Sequence, residues 1–320
     1  MTRYERQIVL PEVGTQGQER LRAAHILVVG AGGLAVPVLQ YLTGAGVGRI
    51  TLVDADHVEK GNLHRQPLYR MADVGAPKVQ AAAAALRSLN PEVEIRPMAT
   101  WLDPESAPAL VDAADLVLDC ADTFAASLTL SDTCHAAGKP LITASALGLQ
   151  GYVAGVCGGA PSLRAIFPDL PGSAPTCSSA GILGPVVATM GTMQAQMALS
   201  VLLGLSPSPL GQMLVFEAQR WRMVDFRFDD ALEPAAPLPF IAASAIRAND
   251  LVIDLRTEAP TPFRPDALHI STDAVPELGI APDTDRVVLA CRTGLRAHNC
   301  GVGLRARWPG NIALLSVPDG

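Results

Sequence analysis

Short apolar runs alternate with longer amphipathic stretches along the first half of the chain. Apolar runs rich in β-branched residues at 26–29, 49–53, 93–97, 116–119 and 141–144 predict buried strands. Between them, residues 34–43, 78–90, 105–111 and 124–137 have the apolar spacing of helices. Alternation of strand and helix is typical of an α/β fold with a doubly wound, mostly parallel Rossmann-like sheet.

The pattern changes after residue 145. Residues 148–167 predict antiparallel strands around a turn at Gly158-Gly159-Ala160-Pro161, residues 182–203 a buried helix, and residues 213–216 and 222–226 a closing strand pair. These strands would extend the parallel sheet antiparallel to it. A short helical pattern near residues 4–21 predicts a lead-in arm.

A proline-rich stretch separates a second folding unit from the first. Pro234, Pro237 and Pro239 mark a stiff linker. Beyond it, residues 251–255 and 286–290 predict parallel strands and residues 295–307 a helix, which together suggest a small α/β domain. We therefore expect a first domain over residues 1–228, a linker over 229–240 and a second domain over 241–320.

Composition narrows the class of protein. The chain has 320 residues, 49% of them hydrophobic and 17% charged, which is enough apolar material for one large core or two ordinary ones. The net charge of -7 argues against nucleic-acid or membrane-surface partners. Six cysteines without a Cys-x-x-Cys pair, and a start without an apolar signal region, predict a cytoplasmic protein with free thiols. Polar residues within 182–205 favour a buried helix over a membrane span.

A glycine-rich turn joins the first predicted strand to the first predicted helix. Its sequence, Gly30-Ala31-Gly32-Gly33-Leu34-Ala35, matches G-x-G-x-x-A in the required strand–turn–helix context. Glycines there allow a tight turn and let phosphates approach the helix N-terminus. The next strand ends in Asp54, placed to accept a ribose hydroxyl. The turn predicts a nucleotide site without naming the nucleotide.

Polar residues follow other strands at the same predicted crevice. The segment 56–75 is polar and too long for a simple connection, and its Arg65 offers the paired donors that suit polyphosphate. Lys78 opens a helix, where a lysine opposes the helix dipole unless an anion lies nearby. Asp122 follows a central strand and would hold a cation beside a phosphate or cap the next helix. Taken singly, Arg65 and Lys78 could also be solvated surface residues.

Taken together and in their order along the chain, these motifs closely resemble those of the MoeB/ThiF/HesA family, whose members are relatives of ubiquitin-activating enzymes. The resemblance spans about residues 3–228. It rests on Arg3-Tyr4-Glu5-Arg6-Gln7, Gly30-Ala31-Gly32-Gly33, Asp54-Ala55-Asp56, Asn62-Leu63-His64-Arg65-Gln66, Gly75-Ala76-Pro77-Lys78, Asn90-Pro91, Asp119-Cys120-Ala121-Asp122, Thr176-Cys177-Ser178-Ser179-Ala180-Gly181 and Gly191-Thr192-Met193-Gln194-Ala195. The resemblance implies an adenylyltransferase that joins the C-terminal Gly-Gly carboxylate of a ubiquitin-like sulfur-carrier protein to the AMP of ATP and releases pyrophosphate.

The family pattern also implies roles at the nucleotide site. Asp54 would hold the ribose. Asn62, Arg65 and Lys78 would hold phosphates and stabilise the transition state, and Asp122 would hold Mg²⁺. The candidate nucleotide-binding residues are Gly30, Gly32, Gly33, Asp54, Asp56, Asn62, Arg65, Gln66 and Lys78.

Two further residues match the family outside this set. Arg6 resembles an arginine that the family supplies across a dimer interface, which implies a homodimer. Cys177 matches a cysteine that in some relatives bonds covalently to the activated carrier. A small buried residue near the crevice is the other interpretation of Cys177.

The second unit resembles a rhodanese domain. The resemblance rests on Asp254-Leu255-Arg256, His269-Ile270 and the loop Cys291-Arg292-Thr293-Gly294-Leu295-Arg296. A strand that delivers a cysteine into a short loop before a helix surrounds the sulfur with backbone N–H groups, which lowers the thiol pKa and holds a persulfide. Cys291 would then carry sulfur from a donor such as a cysteine desulfurase, flanked by Arg292 and Arg296. A packed cysteine at a strand end is the alternative.

The sequence departs from the family in several places. Most members bind structural zinc through two Cys-x-x-Cys pairs, but residues 160–168 and 229–239 contain no cysteine, so we predict no zinc. Ala35 replaces a glycine, Thr123 a usual asparagine and Ser127 a usual arginine. The rhodanese-like part is also short, with 80 residues over 241–320.

Two other functions stay open. A NAD(P)- or FAD-dependent oxidoreductase would use the same glycine turn and Asp54, but it leaves Asn62, Arg65 and Lys78 unexplained as a set. A non-catalytic nucleotide-binding relative would explain the missing zinc ligands and the short second domain. The pathway stays open as well: molybdenum cofactor, thiamine, tRNA thiolation or specialised metabolism.

Overall fold

The computed structural model describes residues 3–172, 180–281 and 284–318. Its larger sheet has eight strands in the order β3-β2-β1-β4-β5-β6-β7-β8. Strands β1 to β5 are parallel to one another, and β6 to β8 continue the sheet antiparallel. Their bounds are β1 His25–Val29, β2 Arg49–Val53, β3 Glu94–Met98, β4 Leu116–Asp119, β5 Pro140–Leu147, β6 Gln150–Cys157, β7 Gln212–Glu217 and β8 Arg222–Arg227.

Helices cover both faces of this sheet. Because successive strand residues point to opposite faces, Ile26 and Val28 of β1 lie in one buried cluster and Leu27 and Val29 in another. Nine α-helices occur in the described part of the chain: α1 Glu5–Ile8, α2 Gly14–Ala23, α3 Ala35–Ala45, α4 Lys78–Leu89, α5 Ala107–Asp112, α6 Phe124–Ala137, α7 Leu163–Ile166, α8 Gly184–Leu203 and α9 Leu295–Arg305. Helices α3, α4 and α8 contribute to the first cluster, and α5 and α6 to the second. The prediction of a doubly wound sheet is confirmed.

A second sheet follows the proline-rich segment. Its four parallel strands have the order β10-β9-β11-β12, with bounds β9 Asp250–Asp254, β10 Leu268–His269, β11 Arg286–Cys291 and β12 Asn311–Ser316. Helix α9 packs on β11 and β12. One buried cluster joins residues of this sheet to Ala125 and Leu128 of α6 and to Leu163. Helix α6 therefore contributes side chains to the cores beside both sheets, and the predicted domain bounds stay a prediction.

Several sequence-based boundaries need correction. Residues 148–167 form one antiparallel strand, β6, and then the short helix α7, because Ser162 caps a helical turn by accepting the Ala165 N–H (3.3 Å). The lead-in arm contains two helices, α1 and α2. The sequence pattern did not predict strands β10 and β12. Strand β10 has only two residues, too few to show a period.

Helix α8 is long and apolar enough to cross a membrane by length and composition alone. Half of its most apolar 18-residue window is buried inside the structure, and the helix packs on α3, β5 and β6. Its Gln194 side chain donates hydrogen bonds to the carbonyls of Asp119 (2.7 Å) and Ile142 (2.9 Å). These contacts are those of a core helix, as the sequence predicted.

Candidate functional site

The glycine turn lies where β1 meets the end of β4. The Gly30 N–H donates to the Val53 carbonyl (2.8 Å), and Gly30 has a φ of +96°. A Cβ on Gly30 would overlap the backbone carbonyl of Cys120. Only glycine fits both the left-handed backbone and this close approach.

Asp54 is tied to the turn through backbone hydrogen bonds. Its carboxylate accepts the Ala31 N–H and the Asp56 N–H, both at 2.7 Å. Burial raises the pKa of Asp54 above its usual value, although Lys78 and these two N–H groups oppose the effect. On the other side of the turn, the Tyr69 hydroxyl donates to the Ala31 carbonyl (2.7 Å). The sequence reasoning missed Tyr69, and its only signal was an aromatic residue in an otherwise polar segment.

The polar segment around residues 62–66 packs against the glycine turn. A Cβ on Gly32 would lie 3.7 Å from Gln66 Nε2, and one on Gly33 would lie 3.4 Å from the Arg65 carbonyl oxygen. The buried Gln66 Oε1 has no hydrogen-bond partner among the described residues. The buried Asn62 accepts the Glu59 N–H (3.3 Å). An unsatisfied buried amide beside an open glycine turn is the kind of group that a polar ligand completes.

The Arg65 guanidinium is half-buried next to this segment. Its Nη1 donates to the Gly61 carbonyl (3.1 Å) and to His64 Nε2 (2.9 Å). Because these bonds use one of the two terminal nitrogens, other N–H donors remain to face an anion.

Lys78 is buried at the start of α4 and paired with one carboxylate. Its Nζ lies 2.7 Å from Asp56 Oδ2, and its backbone N–H donates to the Asp56 carbonyl (2.8 Å). The Lys78 side chain is 8% exposed, whereas that of Asp56 is 48% exposed. The interpretation of Lys78 as a solvated surface residue is wrong. Asp56 holds the ammonium in place.

The end of β4 carries two carboxylates in different environments. Asp119 is fully buried and accepts hydrogen bonds from Thr143 Oγ1 (2.8 Å), the Ala121 N–H (3.1 Å) and Ser127. Burial raises its pKa to about 6. Asp122 is exposed. Ser127, which stands where the family usually has an arginine, hydrogen-bonds to Asp119 through its side chain.

Thr123 caps helix α6. Its Oγ1 accepts the Ala126 N–H (3.3 Å). The alternative role of Asp122 as the cap of this helix is therefore wrong. Asp122 is exposed two residues after Cys120, whose carbonyl oxygen lies against Gly30.

One predicted residue, Arg6, is not brought to this crevice. Arg6 is exposed on α1, and the neighbouring Gln7 donates to the Ala45 carbonyl (2.8 Å) at the far end of α3 from the glycine turn. Arg6 therefore lies away from the crevice of its own chain. Cys177 lies outside the described residues.

The part of the chain that forms the first sheet matches a known protein family. Residues 4–234 match the ThiF family. The chain belongs to the ThiF family. It is 48% identical over 228 residues to "Adenylyltransferase and sulfurtransferase MOCS3" of Bos taurus, a match that covers 70% of this chain and 50% of that protein. It is 42% identical over 228 residues to "Sulfur carrier protein adenylyltransferase" of Thermus thermophilus, with 68% and 83% covered.

The solved structures and the matched lengths add two facts. The crystal structure of E. coli MccB with ATP superposes with a TM-score of 0.63 at 21% identity, covering 71% of this chain and 72% of that one. Identity this low establishes the shared fold alone. The chain spans about half the length of MOCS3 and of the matched Aspergillus fumigatus protein uba4.

Outside the ThiF match, Cys291 ends β11 and enters the loop before α9. Its Sγ accepts N–H bonds from Gly294 (3.2 Å) and Ala297 (3.3 Å), and its side chain is fully buried. Arg296 binds the carboxylate of Glu258 and lowers the pKa of that carboxyl to about 2. Arg292 is exposed. Two backbone N–H groups therefore bind the sulfur, and the rhodanese assignment stays a prediction.

A set of polar contacts ties the end of the ThiF match to β6 and α7. The Ser162 N–H and Oγ both donate to Glu233, at 2.7 and 2.6 Å. Arg164 binds Asp132 through two bonds (2.6 and 2.8 Å) and donates to the Leu238 carbonyl (3.0 Å). Among the described residues, no group of three or more His, Cys, Asp or Glu side chains could hold a metal ion.

Proposed function

We propose that this chain adenylates the C-terminal Gly-Gly carboxylate of a ubiquitin-like sulfur-carrier protein, using ATP and releasing pyrophosphate. The printed names of its relatives in Bos taurus and Thermus thermophilus, an adenylyltransferase and sulfurtransferase and a sulfur-carrier adenylyltransferase, support this proposal. The observation that carries it for this chain is the buried Lys78, paired with Asp56, beside a glycine turn packed against Arg65 and Gln66. A buried ammonium and a guanidinium together suit a triphosphate better than a nicotinamide dinucleotide.

The crevice fits a nucleotide triphosphate. The space that a Cβ would fill at Gly32 is open as far as the Gln66 amide, whose Oε1 has no partner among the described residues, and the Arg65 backbone carbonyl lies beside Gly33. In this proposal Asp54 accepts a ribose hydroxyl. Lys78, Arg65 and Asn62 bind phosphates at the N-terminus of α3, where the helix dipole also favours anions.

Asp122 is the residue that would hold Mg²⁺. A single exposed carboxylate suits this ion, because Mg²⁺ at nucleotide sites usually takes one or two carboxylates and completes its shell with phosphates and water. When bound, the ion would neutralise phosphate charge. Asp119 supports the same strand end through its hydrogen bonds to Thr143 and Ala121.

The reaction needs little acid–base chemistry from the protein. The attacking group is a carboxylate that is already ionised at neutral pH, and the leaving group is pyrophosphate. Positioning of the carrier tail and neutralisation of charge by Arg65 and Lys78 should therefore supply most of the rate enhancement.

We propose that the second unit adds sulfur to the activated carrier. Cys291 would take sulfur from a donor such as a cysteine desulfurase, and its persulfide would attack the carrier adenylate, which forms an acyl disulfide and releases AMP. A thiol reductant would then attack Cys291 Sγ and break the S–S bond, which releases the C-terminal thiocarboxylate and leaves Cys291 in a mixed disulfide with that thiol. The N–H groups of Gly294 and Ala297 at its Sγ support this role, because they would stabilise a sulfur anion. Cys177 could form a covalent intermediate with the carrier.

We propose that the working form is a cytoplasmic homodimer in which Arg6 reaches the partner's crevice. The exposure of Arg6 and its distance from its own glycine turn support this assignment. We expect neither nucleic acid nor membrane among the partners. Zinc stays predicted absent.

Isotope exchange tests the proposal. With ATP, Mg²⁺ and a cognate Gly-Gly carrier, the chain should exchange labelled pyrophosphate into ATP. Cys291→Ala should abolish thiocarboxylate formation while leaving this exchange intact. Equal loss of both activities would reject the role given to Cys291, and tight NAD binding without ATP binding would favour the oxidoreductase instead.

A further inference from the structure

The loop that carries Cys291 is docked on the first turn of α6. The Ala125 N–H of α6 donates to the Thr293 carbonyl, two residues after Cys291, at 3.0 Å. Ala125 and Leu128 of α6 lie in the same buried cluster as Cys291. Helix α6 starts two residues after Asp122, so the sulfur loop contacts the helix that begins at the nucleotide crevice.

The contact leaves no room between the loop and α6. Gly294 has a φ of +89°, and a Cβ on it would lie 2.7 Å from the Phe240 ring and 3.0 Å from Ala125 Cβ. Cys291 itself is fully buried. Ala125 of α6 and Phe240 at the end of the proline-rich segment therefore cover the loop at Gly294, the residue whose N–H binds Cys291 Sγ.

The docked contact also completes the end of α6. The first N–H groups of a helix have no partner within the helix and need one from elsewhere. Thr123 Oγ1 takes the Ala126 N–H, and the Thr293 carbonyl takes the Ala125 N–H. When the loop leaves, this helix end becomes open to solvent and water can replace the Thr293 carbonyl, so the contact is stabilising but reversible.

Sulfur loading needs open space at Cys291 Sγ. The Cys291 thiolate attacks the outer sulfur of a donor persulfide, a new S–S bond forms at Cys291, and the donor's S–S bond breaks. The bond electrons leave with the donor sulfur as a thiolate, so atoms and electrons balance without an oxidant. This attack requires the donor sulfur to reach the buried Sγ in line.

We propose that α6 docking covers the sulfur site, so that the chain loads sulfur only after the Cys291 loop separates from Ala125 and Phe240. The inference rests on the proposed function. It implies that a persulfide donor protein and α6 compete for the same face of the loop. Sulfur loading and the docked state are then mutually exclusive.

Alkylation of the full chain by iodoacetamide, with each cysteine followed by peptide mass mapping, tests the inference. Ala125→Glu puts a carboxylate opposite Gly294 at a helix start, where an acidic residue is otherwise tolerated. Loss of one hydrogen bond and of close packing should speed Cys291 alkylation about tenfold. The matched variant Ala126→Glu, one residue further along α6, should react like the wild type.

Phe240→Leu provides a second variant in case Ala125→Glu fails to fold. It removes the ring opposite Gly294 and should also accelerate Cys291 alkylation. The inference is overturned if wild-type Cys291 reacts as fast as in both variants, or as fast as in urea-unfolded chain. Pyrophosphate exchange measured on the same samples separates the two proposals. Its absence would reject adenylation, whereas the protection of Cys291 reports only on docking.

Discussion

Gly32 offers a substitution that should weaken ATP binding without disturbing the fold. Its φ lies outside the left-handed region, and an added Cβ would meet Gln66 Nε2 at 3.7 Å, an ordinary van der Waals distance. Gly32→Ala should therefore keep or slightly raise the free energy of unfolding, by about 0.4–1 kcal/mol, because alanine has less freedom in the unfolded chain. The same methyl group would occupy the space through which a phosphate approaches the N-terminus of α3.

The expected loss of affinity follows from the hydrogen bonds at stake. A backbone N–H bond to a charged phosphate is worth about 1.5–3 kcal/mol. Losing one such bond should weaken the Kd for ATP about 10- to 150-fold. Titration calorimetry with ATP and Mg²⁺ measures this change, and urea unfolding measures stability in the same samples.

A matched control lies at the other end of the same helix. Gly44 is exposed, and no described atom lies within 4 Å of an added Cβ. Gly44→Ala should leave the Kd for ATP unchanged. Wild-type affinity in Gly32→Ala, with the fold intact, would refute the assignment of this turn to the phosphates.

Three further predictions concern stability. Gly30→Ala and Gly75→Ala both place alanine at a left-handed φ (+96° and +92°), but only the Cβ at position 30 would also collide with a backbone carbonyl. The loss in free energy of unfolding, measured in urea, should therefore be about 1–3 kcal/mol larger for Gly30→Ala. Equal losses would contradict this contact. Folding raises the pKa of Asp119 from 3.8 to about 6. The contribution of its protonation to the free energy of unfolding is therefore complete below about pH 4 and is lost as the pH rises through about 6. Across that pH range the stability of Asp119→Asn should therefore rise relative to the wild type, by up to about 3 kcal/mol. A difference in free energy of unfolding that does not change with pH would contradict the raised pKa. Glu233→Gln weakens two hydrogen bonds from Ser162 and should therefore cost about 1 kcal/mol of stability, measured by thermal unfolding. An unchanged unfolding transition would contradict a structural role for this pair.

Much of the ThiF fold follows from local pattern. Strands β2 and β4 and helix α6 have the residue bounds that the apolar runs predict, Arg49–Val53, Leu116–Asp119 and Phe124–Ala137. These runs are continuous because parallel strands are buried on both faces. The polar residues at the strand ends could be grouped for the same reason, since such strands present their carboxyl ends at one crevice.

Contacts between distant residues could not be predicted this way. The Tyr69 bond to Ala31 joins residues 38 positions apart, and it depends on how the polar segment folds back over the turn. Whether Thr123 or Asp122 caps α6 depends on which side chain reaches the Ala126 N–H, and the apolar pattern does not determine that. Burial of Cys291 under Ala125 depends on packing between two sheets, for which no local period exists.

Carrier-dependent pyrophosphate exchange tests the central proposal most directly. With ATP, Mg²⁺ and its cognate Gly-Gly carrier, the wild-type chain should exchange label well above the rate without carrier. Arg65→Ala and Asp122→Ala should each reduce that rate by at least about a hundredfold, as expected for groups that act on transition-state charge. Exchange that stays at background across a range of Gly-Gly carriers, or that is unchanged in both variants, would contradict the proposed adenylation.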